Sequence, residues 1–225
     1  MGQYSRPKPL IEIEGRLMVS WALESLADVV FSQLVFVALE EHERDYGVCR
    51  LLRSICPGSE VVLIPEVTEG QLCTVLKARD HLLPDEDLLV CPSDTFMVSN
   101  IGREIRDRSR DCHGIISVKD MPGDRWSFAR TDGDGTVVEV AEKKRISDHA
   151  STGFYYFSSC LEFLSIADDI VRDQERACGE YYVIPVYQHL IGLGKRVTLS
   201  KAAEVYDMGS EVAKTAFEKH LRKER

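Results

Sequence analysis

No stretch of the chain approaches the roughly 20 consecutive apolar residues that a membrane-crossing helix requires. The start carries no signal-peptide pattern either, because Lys8 and two prolines interrupt it and no apolar core region follows. Seven cysteines, Cys49, Cys56, Cys73, Cys91, Cys112, Cys160 and Cys178, are scattered without a single C-x-x-C pair. That spacing argues against a structural zinc site and for reduced thiols in a cytoplasmic protein. There is no internal repeat and no low-complexity linker. The chain has 28 basic against 37 acidic side chains, a net charge of −9, and no extended basic cluster. Nucleic acid and anionic membrane surfaces are therefore not expected partners. Any phosphate ligand must be met by a few placed cations or by a metal.

What is present reads as one domain. The 225 residues are 44% hydrophobic and 29% charged, enough for a single large core over 1–225. Short, continuously apolar runs at 33–39 (QLVFVAL), 59–65 (SEVVLIP), 87–94 (DLLVCPSD) and 114–119 (GIISVK) have the pattern of strands buried on both faces. Helical spacing fills 17–26, 43–55, 71–83 and 101–110 between them. The alternation predicts an α/β fold with a mostly parallel sheet flanked by helices. Then the rhythm changes. Residues 126–143 read as two strands joined by Asp-Gly-Asp-Gly, a hairpin signal, and 151–157 (STGFYYF) as another strand. Helices follow over 160–174, 180–194 and 211–221, with a late strand at 195–202. The second half is thus mixed rather than parallel.

In open α/β sheets ligands bind beyond the carboxyl ends of the strands, so residues that follow strands are the candidates. Asp94, in LLVCPSDTF, is either a turn cap or a hard carboxylate ligand for Mg²⁺. Gly70, in VTEGQLCTVL, is either an ordinary turn residue or the point where a ligand approaches the backbone at a helix entry. Glu142 and Lys143, in VAEKKR, are either a solvated turn or a carboxylate for hydroxyl groups beside a cation for phosphate. Spacing does not choose between these readings.

The order of the segments does add something. KPLIEIEGRLMVSWALESL, TEGQLCTVLKA, LLVCPSDTF, VVEVAEKK, STGFYYF and YDMGS, in that sequence from residue 6 to about 217, closely resemble the sugar-1-phosphate nucleotidyltransferases, the NDP-sugar pyrophosphorylases. The resemblance implies a glycosyltransferase-A-like, Rossmann-like fold. It also implies transfer of a nucleoside monophosphate from an NTP to a sugar 1-phosphate or similar monoester, with release of pyrophosphate, in nucleotide-sugar and surface polysaccharide synthesis. On this likeness Lys8 contacts the NTP phosphates, and Asp94 and Asp207 hold Mg²⁺. Gly70 lies against the nucleobase, with Gln71 a candidate base reader and Cys73 a rival for that helix position. Glu142 accepts from acceptor hydroxyls, Lys143 holds the acceptor phosphate, and Thr152 and Gly153 line the acceptor pocket. Glu180 and Tyr182 resemble a segment of the capsule and lipopolysaccharide branch. An assembly of identical subunits is compatible with all of this.

The resemblance has gaps. The family begins with a buried strand and a G-x-G-x-R-like loop upstream of the Lys-Pro segment, and only MGQYS precedes Arg6 here. Lys144 stands where the family often has proline. Two expectations compete: an N-terminally shortened or mis-assigned start of a normal enzyme, or a catalytically degenerate binding or regulatory subunit. A glycosyltransferase of the same fold is a third reading, but PSDTF does not supply its D-x-D motif.

Overall fold

The computed structural model describes residues 6–223. Pro7 and Pro9 frame a 3-10 turn, Lys8–Leu10, that buries Leu10. A minimal hairpin, β1 (Glu12–Ile13) and β2 (Arg16–Leu17), leads into α1 (Met18–Glu24). Next come β3 (Val35–Leu39), α2 (Glu40–Tyr46), α3 (Val48–Ile55) and β4 (Glu60–Ile64). The single helix expected over 43–55 is two. Gly47 takes φ = 63° and donates its N–H to Glu43 O at 2.8 Å, a left-handed stop that favours glycine.

After α4 (Gln71–Lys77) the expected helix to residue 83 gives way to a 3-10 turn at Arg79–His81. Strand β5 is short, Leu88–Val90. Pro92 lacks an N–H and cannot extend a ladder, so Asp94 lies in the turn leading to β6 (Thr95–Val98) rather than at the strand end where the sequence puts it. Then follow α5 (Ile101–Asp107), β7 (Cys112–Lys119), the hairpin β8 (Ser127–Thr131) and β9 (Val137–Glu142), and β10 (Ala150–Phe157). Helix α6 (Cys160–Arg172) opens on Ser159, whose hydroxyl accepts from Glu162 N at 3.1 Å. The next helix, expected from residue 180, starts only with α7 (Pro185–Gly192), because proline suits the first helical position. The chain closes with β11 (Arg196–Lys201), β12 (Glu204–Asp207) and α8 (Glu211–Lys223).

The largest sheet runs β11-β7-β10-β8-β9, with β5 also on β10. β11 is parallel to β7 and β3 is parallel to β4. The other ladders are antiparallel, since the β8–β9 hairpin and β10 turn back on their neighbours. The architecture is α/β, with fewer parallel pairs among the described residues than the alternation implies.

The main core lies between this sheet and helices α6 and α7. Phe157 stacks on Tyr187 at 4.6 Å and packs against Phe163 at 4.7 Å. The Tyr187 hydroxyl, fully buried, sits 2.9 Å from Tyr156 O and 3.0 Å from Ile115 O. A side chain at position 114 would collide with its ring, since a Cβ there would fall 2.6 Å from Cε1. A second core is aromatic. Trp21 of α1, Phe96 of β6 and Phe217 of α8 meet with centroids 5.2–6.0 Å apart, and Tyr206 of β12 packs on Phe217 at 5.0 Å. Such pairs add roughly 0.5–1.5 kcal/mol beyond the area they bury. They clamp β6 to β12.

Candidate active site

That clamp brings two distant carboxylates together. The β6–β12 ladder sets Asp207 opposite Thr95, the residue after Asp94. Met208 N–H donates to Asp94 O at 2.7 Å and fixes the turn. Lys8 reaches in from the Lys8–Leu10 turn, its Nζ donating to Asp94 Oδ2 at 3.1 Å. All three surround Gly209. A Cβ there would lie 2.9 Å from Asp207 Oδ1, 3.0 Å from Asp94 Oδ2 and 3.2 Å from Lys8 Nζ. The bare glycine leaves the centre of this charge cluster open. The other Asp207 oxygen accepts from Arg125 Nη2 at 2.8 Å, and that guanidinium lies over the Trp126 ring. Sequence reasoning missed Arg125. It precedes the β8 pattern without any motif of its own, and only the fold shows that it faces Asp207.

A second cluster grows from the end of β9. Glu142 pairs across the hairpin with Ser127, whose hydroxyl donates to its carboxylate. Tyr155 donates in turn to Ser127 Oγ at 3.3 Å. Burial raises the Glu142 carboxyl above its ordinary range, against the opposing pull of the Ser127 hydrogen bond. Lys143 follows with φ = 50°, a turn residue held by its N–H donating to Trp126 O at 2.9 Å. Its Nζ donates to the Tyr182 hydroxyl, which donates to Glu180. The hydrogen bond to Tyr182 is the main cause of a raised Lys143 pKa. Arg125 and Ser127 touch one cluster each, so the two lie within a few residues' span along the start of β8.

The remaining sequence candidates have varied surroundings. Gly70 has φ = 139°, and a Cβ there would fall 2.3 Å from Tyr181 O. Tyr181 N–H donates to Glu69 O at 2.9 Å, and Leu72 N–H donates to Tyr181 O at 3.0 Å. The close approach that demands glycine is thus made by the protein's own backbone. Gln71 opens α4 directly after it, and burial raises the half-buried Cys73 thiol pKa. Thr152 is buried, its hydroxyl 3.4 Å from Ser117 O. Gly153 has φ = 90° and backs onto Pro92, whose Cγ would lie 3.1 Å from a Cβ at 153. Among the described residues no group of three or more His, Cys, Asp or Glu side chains is arranged to hold a metal. None of the described helices is long and apolar enough to cross a membrane.

No family model matches the chain. It is 26% identical over 185 residues to the bifunctional protein GlmU of Thermotoga sp. (strain RQ2), a match covering 79% of this chain and 39% of that protein. It is 23% identical over 206 residues to the UTP–glucose-1-phosphate uridylyltransferase AglF of Haloferax volcanii, covering 85% and 78%. The chain thus spans about two fifths of the GlmU relatives and most of AglF. Among solved structures, the nucleoside-diphosphate-sugar pyrophosphorylase of Vibrio cholerae RC9 superposes with a TM-score of 0.83 at 26% identity, covering 96% of this chain and 93% of that one. A UDP-glucose pyrophosphorylase complexed with UDP-glucose shares the fold at a TM-score of 0.75 and 15% identity, covering 97% and 91%. The fold and the sequence matches agree with the ordered motifs: the chain is similar in sequence and in fold to sugar-1-phosphate nucleotidyltransferases.

Proposed function

We propose that the chain transfers a nucleoside monophosphate from an NTP to a sugar 1-phosphate, or a similar phosphate monoester, and releases pyrophosphate. The observation that carries this reading is the convergence of Lys8, Asp94 and Asp207 around Gly209. In the reaction an acceptor phosphate oxygen bonds to the α-phosphorus while the bond from that phosphorus to the β-phosphate bridging oxygen breaks. Little covalent help is needed; positioning and charge neutralisation suffice.

Asp94 Oδ2 and Asp207 Oδ1 flank one point with hard oxygen donors, the chemistry Mg²⁺ takes when phosphates complete its shell. When bound there, the metal would neutralise phosphate charge between the two substrates. Lys8 and Arg125 now pair with the two carboxylates, and both are cations that can swing to phosphate oxygens once those carboxylates are otherwise engaged. Lys143, poised by Tyr182 and Glu180, holds the acceptor phosphate. Glu142 receives the acceptor hydroxyls, and Thr152 and Gly153 line the acceptor pocket. Gly70 and Gln71 form the nucleobase side. The same reading takes 1–225 as one domain working in the cytoplasm, as identical subunits, in polysaccharide precursor synthesis.

The test incubates the protein with each of the four NTPs, Mg²⁺ and a panel of sugar 1-phosphates, and measures pyrophosphate. Release that requires both substrates and the metal is expected. Nucleotide binding without release would support the non-catalytic reading instead, and neither binding nor release would remove both.

A further inference from the structure

Two turns beside the candidate site are held together by one side chain. The first, residues 120–126, joins β7 to β8 and carries Arg125. The second, residues 143–149, joins β9 to β10 and opens on Lys143. Arg145 crosses from the second turn to the first. Its Nη1 donates to Met121 O at 2.8 Å and to Gly123 O at 3.2 Å. Its Nη2 donates to Asp120 Oδ1 at 3.2 Å and to Asp148 Oδ1 at 2.8 Å. The guanidinium lies over the buried Phe128 ring, 5.5 Å from its centroid. Four acceptors around one planar fork suit arginine, and a lysine ammonium at the end of its stem cannot span them.

The ends of the first turn are seated against β12, the strand that carries Asp207. Lys119 Nζ donates to Ala203 O at 2.5 Å just ahead of that strand. Met121 and Trp126 pack in one small apolar cluster with Val205 of β12. Between those ends the chain from Pro122 to Arg125 is exposed, and the Trp126 indole donates across it to Pro122 O at 3.1 Å. Arg125 then lies 4.0 Å over the Trp126 ring and reaches Asp207 Oδ2 at 2.8 Å. Its side chain is 60% exposed, so packing does not enforce that contact. Holding a long exposed side chain in one place costs rotamer freedom, and the cost grows if the backbone beneath it is loose. Arg145 grips two carbonyls of that backbone.

We infer, on the reading of the Lys8, Asp94 and Asp207 cluster as the site of phosphoryl transfer, that Arg145 is a positioning residue. It latches the 120–126 turn to the turn that opens on Lys143 and so holds Arg125 at the Asp207 side of the cluster. Arg145 engages Asp120 and Asp148 rather than either aspartate of the cluster, and its effect on the reaction passes through Arg125. The latch also fixes the spacing between two cations. Arg125 serves the transferring phosphate and Lys143 the acceptor phosphate, and transfer depends on how the two phosphates are placed relative to each other.

The test compares Arg145→Met, Arg145→Lys, Arg125→Met and the double variant Arg125→Met/Arg145→Met in the full chain. Arg130→Met, which removes an exposed arginine–carboxylate pair from the same hairpin, is the control and should change nothing measured here. Trypsin cleavage between Arg125 and Trp126, followed by mass spectrometry, reports the turn whatever the chain catalyses. Both Arg145 variants should speed it at least about fivefold, because proteolysis tracks the population of the opened form, while cleavage at other sites keeps its rate. Pyrophosphate release reports the consequence. kcat should fall at least about tenfold in both Arg145 variants, with the acceptor KM moving less than about threefold. That KM is set at Lys143, which Trp126 O and Tyr182 hold independently. The double variant should be no slower than Arg125→Met alone, since two residues acting through one contact are not additive. Unchanged cleavage, full activity in Arg145→Lys, or additive losses in the double variant would each overturn the latch. A wild-type chain that releases no pyrophosphate removes the transfer reading instead, and the cleavage rates alone then decide whether Arg145 holds the turn.

Discussion

β10 and β3 are built from the same kind of sequence and end in different circumstances. β10, ASTGFYYF, is buried along all but one of its eight residues. It lies between β7 on one edge and β5 and β8 on the other, with α6 and α7 packed over Phe157. β3, VFVAL, is at least as apolar, yet each of its residues is only half-buried, and among the described residues it ladders with β4 alone. An apolar run thus records the environment a strand is suited to. Whether that environment is complete depends on what lies beside it. The functional clusters divide along the same line. Glu142 and Lys143 are carried by the large sheet, whereas Lys8, Asp94 and Asp207 meet beside the separate β6–β12 ladder.

The largest expected difference is in stability. Phe157→Ala should cost about 3–5 kcal/mol, as for fully buried aromatics, and Phe36→Ala less than half of that. Urea midpoints decide it, and equal losses would mean that β3 is as enclosed in solution as β10. Next in size is Asp94→Ala, which should lower pyrophosphate release at least about 100-fold, or roughly 2.7 kcal/mol. Its effect on stability should stay within about 1 kcal/mol, since the ion pair with Lys8 is partly exposed. Unchanged metal-dependent turnover would remove Asp94 from the site. On the sheet side, Lys143→Met should raise the acceptor KM about tenfold with a smaller change in kcat, the loss of one charge-assisted contact. A pure kcat effect would blur the division between the clusters.

The smallest effect is pH-dependent. Burial raises the Glu142 carboxyl above its unfolded value, so the ionised form is penalised in the folded protein. Removing that charge should help only where it would otherwise exist. Glu142→Gln is therefore expected to raise the thermal midpoint at pH 7 to 8. The gain should shrink as pH falls through the folded pKa and vanish below the unfolded value of about 4.3. A gain that persists in acid would point to packing rather than charge.

The strands at 33–39, 59–65, 114–119 and 151–157 were legible because continuous β-branched and aromatic runs bounded by turn residues mark them. The Asp-Gly-Asp-Gly turn did the same for the β8–β9 hairpin. β6 and β12 were not legible as partners. TFMV and EVYD are short and partly polar, and they pair only because aromatic side chains from α1 and α8 hold them together. Gly47 divides a helix whose apolar spacing runs straight through it. The order of motifs named Lys8, Asp94 and Asp207, but nothing in their spacing says that they surround one glycine. Arg125 and Ser127 carried no signal, because their roles rest on which side of the hairpin faces which carboxylate.

The β6–β12 ladder also bears on how the protein is made. Asp94 and Asp207 lie about half the chain apart, and the β6–β12 ladder together with the Met208 N–H bond to Asp94 O sets them side by side. Synthesis proceeds from the amino end at about 5–20 residues per second, so the residues for β7 and β10 emerge before Glu204–Asp207 exist. A chain interrupted ahead of β12 can assemble much of the large sheet and still hold only one of the two aspartates. Pairing of the carboxylates therefore requires that synthesis has passed Asp207, and every copy terminated ahead of β12 lacks it.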